Sequence, residues 1–492
     1  MTEEKSSYRQ IFKSTSLFGG VQFFNILVSV VRVKFVAVLL GSSGVGILSL
    51  LQSSTSLIGT LTKMGLDVSA VRSISAANGT GDHPHVIRVI TVFKRWVWIS
   101  GILGALVTLI LAPWLSQWTF GSSDYTFAYV WLSVTLLLDA LSSGQITLLH
   151  GLQKLKQMAK ANLIGTAIGV GFSIPIYYIY GAKGIVPTLV ISSALSLIIS
   201  WFYTKSINIE KLNISIRETF TEGSDMIKLG VLMTMSAFVN LFASYLVNAF
   251  ISHSGSVSDV GLFQAAGGLT DKYVGLVFTA MVTDYFPRLS RVNKDTVQMN
   301  EVLNQQAELA LLILCPILIL LLSTTPLVIH ILYTKEFLPI VSFIQWSIFS
   351  VLLKAGSWSL GFIFVAKGDS ILFFWKELLG SLIVLSSNVI GYHLYGLEGL
   401  GISTTIGGLL ILIFTSWLCY KKYKLSLEKK FRKILLIQIF ICLIAFLFAY
   451  NLGFPYAYIS GAVLFGIAGV YSFVELDKRI MIKQFVLSKL KK

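Results

Sequence analysis

The stretch that decides the fold is residues 14–41, STSLFGGVQFFNILVSVVRVKFVAVLLG, which is almost continuously apolar. About 20 apolar residues are enough for a helix to cross a bilayer, so this run predicts a membrane span. At about 1.5 Å per residue, Arg32 lies roughly 13 Å from the outer end of that helix, and Lys34 lies slightly higher. A charge at membrane depth is costly and usually faces a polar cavity or a partner. The stretch therefore predicts a spanning helix with a polar feature inside the membrane.

Thirteen further apolar segments of similar length follow along the 492 residues. The chain is 55% hydrophobic and only 13% charged, with a mean hydropathy of +0.77. Soluble domains carry about 25% charged residues, so the chain is predicted to be an all-α polytopic membrane protein with about 14 transmembrane helices. The segments run approximately 14–40, 45–62, 96–115, 126–149, 161–180, 184–203, 229–252, 258–287, 302–332, 338–366, 370–393, 397–420, 434–451 and 455–475.

The 39 Lys and Arg residues are distributed very unevenly over the predicted spans. Thirty-three fall in the two tails and in alternate loops with their flanking turns, whereas the opposite loops hold only Lys183 and Lys335. Loops rich in Lys and Arg stay on the cytoplasmic side, so both termini are predicted to be cytoplasmic. The formal net charge of +16 is then explained by anchoring against anionic lipid, and no nucleic-acid partner is expected.

An internal repeat predicts two related lobes. The run FFNILVS at residues 23–29 matches FVNLFAS at residues 238–244 at an offset of 215, and the offset also pairs Val45-Gly46 with Val260-Gly261. Six spans separate the copies, so the repeat is parallel, with a pseudo-two-fold axis along the membrane normal. This predicts two six-helix lobes plus two C-terminal helices. The expected divisions are a lobe at 1–203, a cytoplasmic linker at 204–228, a lobe at 229–420, and two additional helices with a basic tail at 421–492.

The charges within the spans are the candidate functional residues. Basic groups in a low-dielectric cavity attract anions, and phosphates are the usual ligands of Arg and Lys clusters. Buried carboxylates can titrate near physiological pH and so couple transport to a proton gradient. Internal pairing, such as Lys354 with Asp139, is the alternative for any one residue. The candidate phosphate-binding residues are Arg32, Lys34, Lys272 and Lys354, and the candidate cavity acids are Asp139, Asp271 and Glu308.

The eighth segment ends in the run TDYFPRL at residues 283–289. Pro287 is expected to end the helix there, and Asp284 and Arg288 are expected to pair at the cytoplasmic rim. Upstream, the small residues of GLFQAAGGLTDK at 261–272 would let helices approach or slide, as alternating access requires.

Several of these motifs together resemble a known family. The GGVQ run at 19–22, the GVG turn at 44–46, Gly65-Leu66-Asp67 and the TDYFPRL ending look like the Wzx-type O-antigen and oligosaccharide flippases. These belong to the multidrug/oligosaccharidyl-lipid/polysaccharide exporter superfamily. The resemblance implies transfer of undecaprenyl-pyrophosphate-linked sugar repeat units across the bacterial inner membrane, with cationic lumen residues holding the pyrophosphate. It also implies no cofactor, a proton or cation gradient as the driving force, and polysaccharide-assembly proteins as candidate partners. The two extra helices resemble the lipid II flippase branch.

Other classes of protein remain as alternatives. A membrane glycan polymerase or ligase would need a sizeable outer loop for its catalytic groups, and the outer loops here are short. A multidrug exporter of the same superfamily would favour an acidic cavity, whereas this deep set is net basic. A structural scaffold would leave the deep charges unexplained. The run DHPH at 82–85 is a weak metal signal, and the chain has no phosphate-binding GK[ST] loop.

Overall fold

A computed structural model describes the backbone of residues 3–205, 207, 212, 214–452 and 455–480. It describes side chains from Phe24 to Arg479 within those ranges, except at positions 232, 271–274, 276 and 283. Asp271 and Lys272, two of the candidate site residues, are among these exceptions, so their side chains lie outside the described residues.

The described residues form fourteen α-helices and no strand. A π-turn at Gly268–Lys272 joins α8 to α9, and 3₁₀ turns at Gly181–Gly184 and Lys335–Phe337 join other neighbours. The helices are α1 Glu3–Lys63, α2 Leu66–Thr80, α3 His83–Phe120, α4 Thr126–Gly151, α5 Leu155–Tyr180, α6 Ile185–Lys205, α7 Ile216–Ser254, α8 Val257–Gly267, α9 Tyr273–Arg291, α10 Thr296–Leu332, α11 Ile340–Ala366, α12 Ser370–Tyr423, α13 Lys429–Asn451 and α14 Tyr456–Ile480.

Two of these helices contain two predicted spans each. α1 breaks at Gly41, whose φ of 65° lies in the left-handed region that glycine tolerates, and α12 breaks at Tyr395 and Gly396. Ten stretches of the described residues are long and apolar enough to cross a membrane, and three of these, including Leu155–Lys205, cover two predicted spans. The remaining predicted span, 258–287, corresponds to α8, the π-turn and α9. The predicted all-α polytopic fold is confirmed.

Two predicted non-spanning segments contain helix, and one local prediction was wrong. The segment at 63–95, between the second and third predicted spans, contains α2, whose buried Leu66, Ala70 and Ile74 recur at helical spacing. This helix is too short to span a bilayer. The predicted linker at 204–228 is helical from Ile216, where Ser215 and Glu218 form a capping box. The helix expected to end at Pro287 continues to Arg291, because neighbouring interactions can compensate for the missing N–H of a proline.

The described chain divides into two compact units, Met1–Val260 and Gly261–Lys492. In the first unit α7 packs on α1, α2 and α3. Trp96 of α3 donates from Nε1 to the carbonyl oxygen of Thr219 on α7 at 3.1 Å. Gly46 and Val257 lie so close that a Cβ on Gly46 would stand 1.9 Å from the Val257 carbonyl oxygen. The N-terminal helices and α7 are thus one packed body.

In the second unit α10 is the central helix, and it contacts α9, α11, α13 and α14. Its residues Leu311, Cys315 and Leu318 are fully buried. The C-terminal helices α13 and α14 pack on α10, where a Cβ on Gly461 of α14 would lie 2.2 Å from Ser323. The two extra helices are therefore an integral part of this unit.

Candidate functional site

Arg32 of α1 lines a pocket of about 260 Å³ inside the first unit. Helices α4, α5 and α6 supply the other walls. Among the described residues that line this pocket, Arg32 is the one that carries a charge, and the others carry a hydroxyl or amide group or are small or apolar. The polar uncharged residues that line the pocket are Ser142, Asn162, Thr166, Ser173, Ser192, Ser196 and Ser200.

The guanidinium of Arg32 makes no hydrogen bond or ion pair with any residue whose side chain is described. It is half-buried, and the hydroxyl of buried Tyr177 is its electrostatic neighbour. A guanidinium held at membrane depth without an anionic partner is unfavourable, and it becomes favourable when an anion enters. The pocket is therefore suited to an anionic ligand.

The hydroxyl wall comes mainly from α6. Ser192, Ser196 and Ser200 are spaced four residues apart, so they lie on one face of the helix. Ser200 donates to its own helix and to Ser142 at 3.4 Å. Within the described side chains, Ser192 and Ser196 have no hydrogen-bond partner. The sequence prediction missed this wall, although serines at every fourth position of an apolar helix could have revealed it.

Two glycines of α5 leave the floor of the pocket open. A Cβ on Gly165 would meet no atom within 4 Å, and a Cβ on Gly169 would meet only the Ser192 hydroxyl oxygen at 3.9 Å. The empty space at these positions is therefore available to a ligand. It also allows a larger side chain to fill the pocket without displacing the neighbouring backbone.

Asp139 lines a different pocket in the same unit, with a volume of about 320 Å³. Lys63 and Asp67 share that pocket and form a salt bridge with an Nζ–Oδ2 distance of 3.9 Å. Because Arg32 and Asp139 face separate pockets, Asp139 does not neutralise Arg32. Lys34 is half-buried and lines neither of the two pockets.

The remaining described candidates lie in the second unit. The Lys354 ammonium is 6.0 Å from the ring centroid of Phe278, which is at the limit of a cation–π contact. Asp284 and Arg288 form the predicted pair at 3.2 Å, and Arg288 also donates to Gln305 at 3.1 Å.

Glu308 is buried and accepts a hydrogen bond from Nε of Arg479 at 2.8 Å. Arg479 was not a candidate, because it lies 171 positions away in the chain and only the docking of α14 on α10 brings it there.

No group of three or more potential metal ligands occurs among the described residues. In the run DHPH, Asp82 caps α3 by accepting from the His85 N–H.

Comparison with known proteins shows which proteins this chain resembles in sequence and in fold. The family model described as "Polysaccharide biosynthesis protein" matches residues 35–342, more than half of the chain. The lipid III flippase of Escherichia coli (strain K12) is 21% identical over 343 residues, covering 68% of this chain and 80% of that protein. The lipid III flippase of Shigella flexneri matches to the same extent.

Two solved structures share the fold. The structure titled "Lipid II flippase MurJ, inward closed conformation" has a TM-score of 0.70 at 15% identity, covering 94% of this chain and 99% of that chain. An inward-facing multidrug resistance MATE family transporter of the MOP superfamily has a TM-score of 0.67 at 14% identity, covering 81% and 94%. The chain is thus a multi-pass membrane protein, and the prediction of a transporter rather than an enzyme is confirmed.

Proposed function

Because the chain belongs to the polysaccharide biosynthesis protein family, we propose that it is a flippase for lipid-linked glycans. Its substrate is an undecaprenyl-pyrophosphate-linked oligosaccharide repeat unit of O-antigen or a similar surface polysaccharide. The protein lies in the bacterial inner membrane with both termini in the cytoplasm. It moves the repeat unit to the outer leaflet by alternating access.

One observation carries this proposal: Arg32 faces a hydroxyl-lined pocket and has no anionic partner among the described side chains. The planar fork of a guanidinium matches the oxygens of a phosphate. Hydroxyl groups such as those of Ser192 and Ser196 exchange hydrogen bonds with sugar hydroxyls. A pyrophosphate-linked sugar offers both kinds of group, and the pocket holds both kinds of complement.

The other candidate residues have assigned roles within this proposal. Lys34, Lys272 and Lys354 are further candidates for holding the anionic headgroup, and Asp139 and Asp271 are candidates for tuning or releasing it under a proton or sodium gradient. Of these, Lys34 and Asp139 do not line the Arg32 pocket. Glu308 is instead a counter-ion of Arg479 that fixes α14. A multidrug exporter is not favoured, since an organic cation would be repelled by Arg32.

The proposal is tested in cells that lack the gene, by measuring lipid-linked repeat units on each face of the membrane. Native protein should restore transfer, and Arg32→Gln should reduce its rate about 10- to 100-fold. A hydrogen bond to a charged group contributes about 1.5–3 kcal/mol, and each 1.4 kcal/mol is tenfold. Arg32→Lys keeps the charge without the fork and should retain intermediate activity.

A second pair of variants tests the pocket independently of charge. Gly165→Phe fills the open floor and should abolish transfer, whereas Gly171→Phe on the same helix should not. A Cβ on Gly171 also meets nothing within 4 Å, but Gly171 does not line the pocket. Equal amounts of folded protein are confirmed by thermal unfolding. If Arg32→Gln and Gly165→Phe both transfer repeat units at the native rate, the proposal is wrong.

A further inference from the structure

The turn between α12 and α13 is the most basic segment of the described chain. We use the name basic turn for residues 421–433, which include this turn and the adjoining ends of both helices. These residues carry seven cations and one acid, Glu428. Clusters of four to eight Lys or Arg residues beside a transmembrane helix are typical of surfaces that bind anionic lipid. The cations are Lys421, Lys422, Lys424, Lys429, Lys430, Arg432 and Lys433.

The basic turn is held in one conformation on α10. Leu425, Leu427 and Phe431 are buried, so the cations between and around them face outward. Asn300 accepts from the Ser426 N–H at 3.0 Å, and Asn304 accepts from the Glu428 N–H at 2.8 Å. The cations are therefore presented by an ordered backbone, which reduces the entropy lost on binding.

A cavity of about 800 Å³ adjoins the basic turn. Lys430 and Lys433 line it, together with Arg288 and Arg479. The walls also include four acids. Glu308 and Glu475 are bound to Arg479, Lys478 also pairs with Glu475, and Glu428 accepts from Asn300. The fourth acid, Glu301, is exposed at the edge of the cavity. Lys430 and Lys433 form no hydrogen bond or ion pair with any described side chain and remain available for an external anion.

The start of α13 also favours a bound anion. Its first turn contains no acidic residue, and Glu428 makes no side-chain cap bond to it. The N-terminus of a helix carries a partial positive charge, so Lys429, Lys430, Arg432 and Lys433 stand where cations are least favourable. A bound phosphate would accept hydrogen bonds from the free N–H groups and reduce the repulsion between the cations.

Neighbouring aromatic side chains place the basic turn at a membrane surface. Lys421 lies 4.9 Å from the ring of Trp417, and Lys424 lies 5.4 Å from the ring of Tyr420. Both aromatic residues are more than half exposed, and exposed Trp and Tyr are enriched at membrane–water interfaces. The adjoining cavity also includes the apolar side chains of Leu309 and Ile434, which suit an acyl chain better than a free ion.

We propose that the basic turn and its cavity bind the phosphate headgroup of an anionic phospholipid of the surrounding bilayer. Lys430 and Lys433 hold the phosphate, while Leu309 and Ile434 contact the start of an acyl chain. The bound lipid stabilises the α13–α14 pair on α10. This site is separate from the Arg32 pocket and does not depend on the proposed function.

The test compares the purified full-length protein in nanodiscs of phosphatidylcholine alone and with increasing phosphatidylglycerol. The Tm should rise with the phosphatidylglycerol fraction and reach a plateau. Lys430→Gln/Lys433→Gln should require about 30-fold more phosphatidylglycerol for the same rise. Each Lys near an anionic surface contributes about 1 kcal/mol, and each 1.4 kcal/mol is tenfold.

The matched control is Lys154→Gln/Lys156→Gln, which removes two charges at the start of α5 in the first unit. It should respond to phosphatidylglycerol like the native protein. An equal Tm of all proteins in phosphatidylcholine shows that each variant is folded. The proposal is overturned if phosphatidylglycerol does not raise the Tm, if both double variants respond like the native protein, or if inorganic phosphate in phosphatidylcholine nanodiscs gives the same rise.

Discussion

Arg479 of α14 donates from Nε to a carboxylate oxygen of Glu308 on α10 at 2.8 Å, and its Nη1 reaches Glu475 at 2.6 Å. Glu308 shares a face of α10 with Asn300 and Asn304, because the three are spaced four residues apart. The two asparagines hold the turn before α13, and Glu308 holds the end of α14. A single polar stripe on α10 therefore docks both C-terminal helices.

Removing one partner of this ion pair should destabilise the second unit. Loss of one member of a buried pair costs about 3–5 kcal/mol, because the other charge stays buried and unpaired. Arg479 is about one quarter exposed, so we expect Glu308→Gln to cost about 3 kcal/mol or less, measured as a lower Tm in detergent. Glu308→Gln/Arg479→Gln should cost less than the two single changes together. Additive costs would show that the pair does not interact.

The close approach of Gly65 and Gly230 should not tolerate a methyl group. A Cβ on Gly230 of α7 would lie 2.4 Å from the carbonyl oxygen of Met64, so Gly230→Ala must displace backbone. Overpacking of this kind costs about 1–3 kcal/mol. Gly79→Ala, where a Cβ meets nothing within 4 Å, should be neutral or slightly stabilising. Thermal unfolding of both variants distinguishes them, and an unchanged Tm for Gly230→Ala would contradict the packing.

Two buried thiols should cross-link α10 to α13. The Sγ atoms of Cys315 and Cys442 lie 3.8 Å apart, and both residues are fully buried. Diamide, which accepts the two electrons and two protons, should join them in a disulfide detected by mass spectrometry of the linked peptides. Cys315→Ser should abolish the link. Cys419, whose Sγ contacts the Leu360 carbonyl oxygen, is the control and should form no link. A native protein that forms none would contradict the packing of α13 on α10.

Lys354 should contribute to transport through its charge. Lys354→Gln should reduce transfer of the repeat unit about tenfold, whereas Lys354→Arg should retain most of it, because a cation above Phe278 is preserved. The rate of appearance of lipid-linked repeat units on the outer face is measured at equal protein levels. If Lys354→Arg is as impaired as Lys354→Gln, the side chain acts through its shape and not through its charge.

Much of the fold could be predicted because membrane spans are encoded locally. Each run of about 20 apolar residues must form a helix in lipid, since no water is present to satisfy its backbone. The break at Gly41 also falls between the predicted spans 14–40 and 45–62, and glycine tolerates its positive φ. The sequence was less informative where local rules compete with packing. α2 is amphipathic rather than continuously apolar, and Pro287 lies inside a helix that tertiary contacts maintain.

The candidate site was predictable in part for the same reason. Arg32 is conspicuous in an apolar run, so its position at membrane depth follows from the sequence alone. The residues that surround it do not, because Ser142 and Ser192 reach its pocket only when α4 and α6 pack beside α1. Asp139 shows the converse, since it is equally conspicuous in the sequence but faces another pocket.

The sequence by itself determined that this chain crosses the membrane many times and carries charges within the bilayer. Hydrophobicity and the cost of a buried charge are properties of each residue and its near neighbours. Only the tertiary structure decided which charges are already neutralised. Glu308 was equivalent to Asp139 as a buried acid until α14 brought Arg479 to it from 171 positions away. Pairing depends on distances of a few ångströms between remote segments, and those distances arise only when the helices pack.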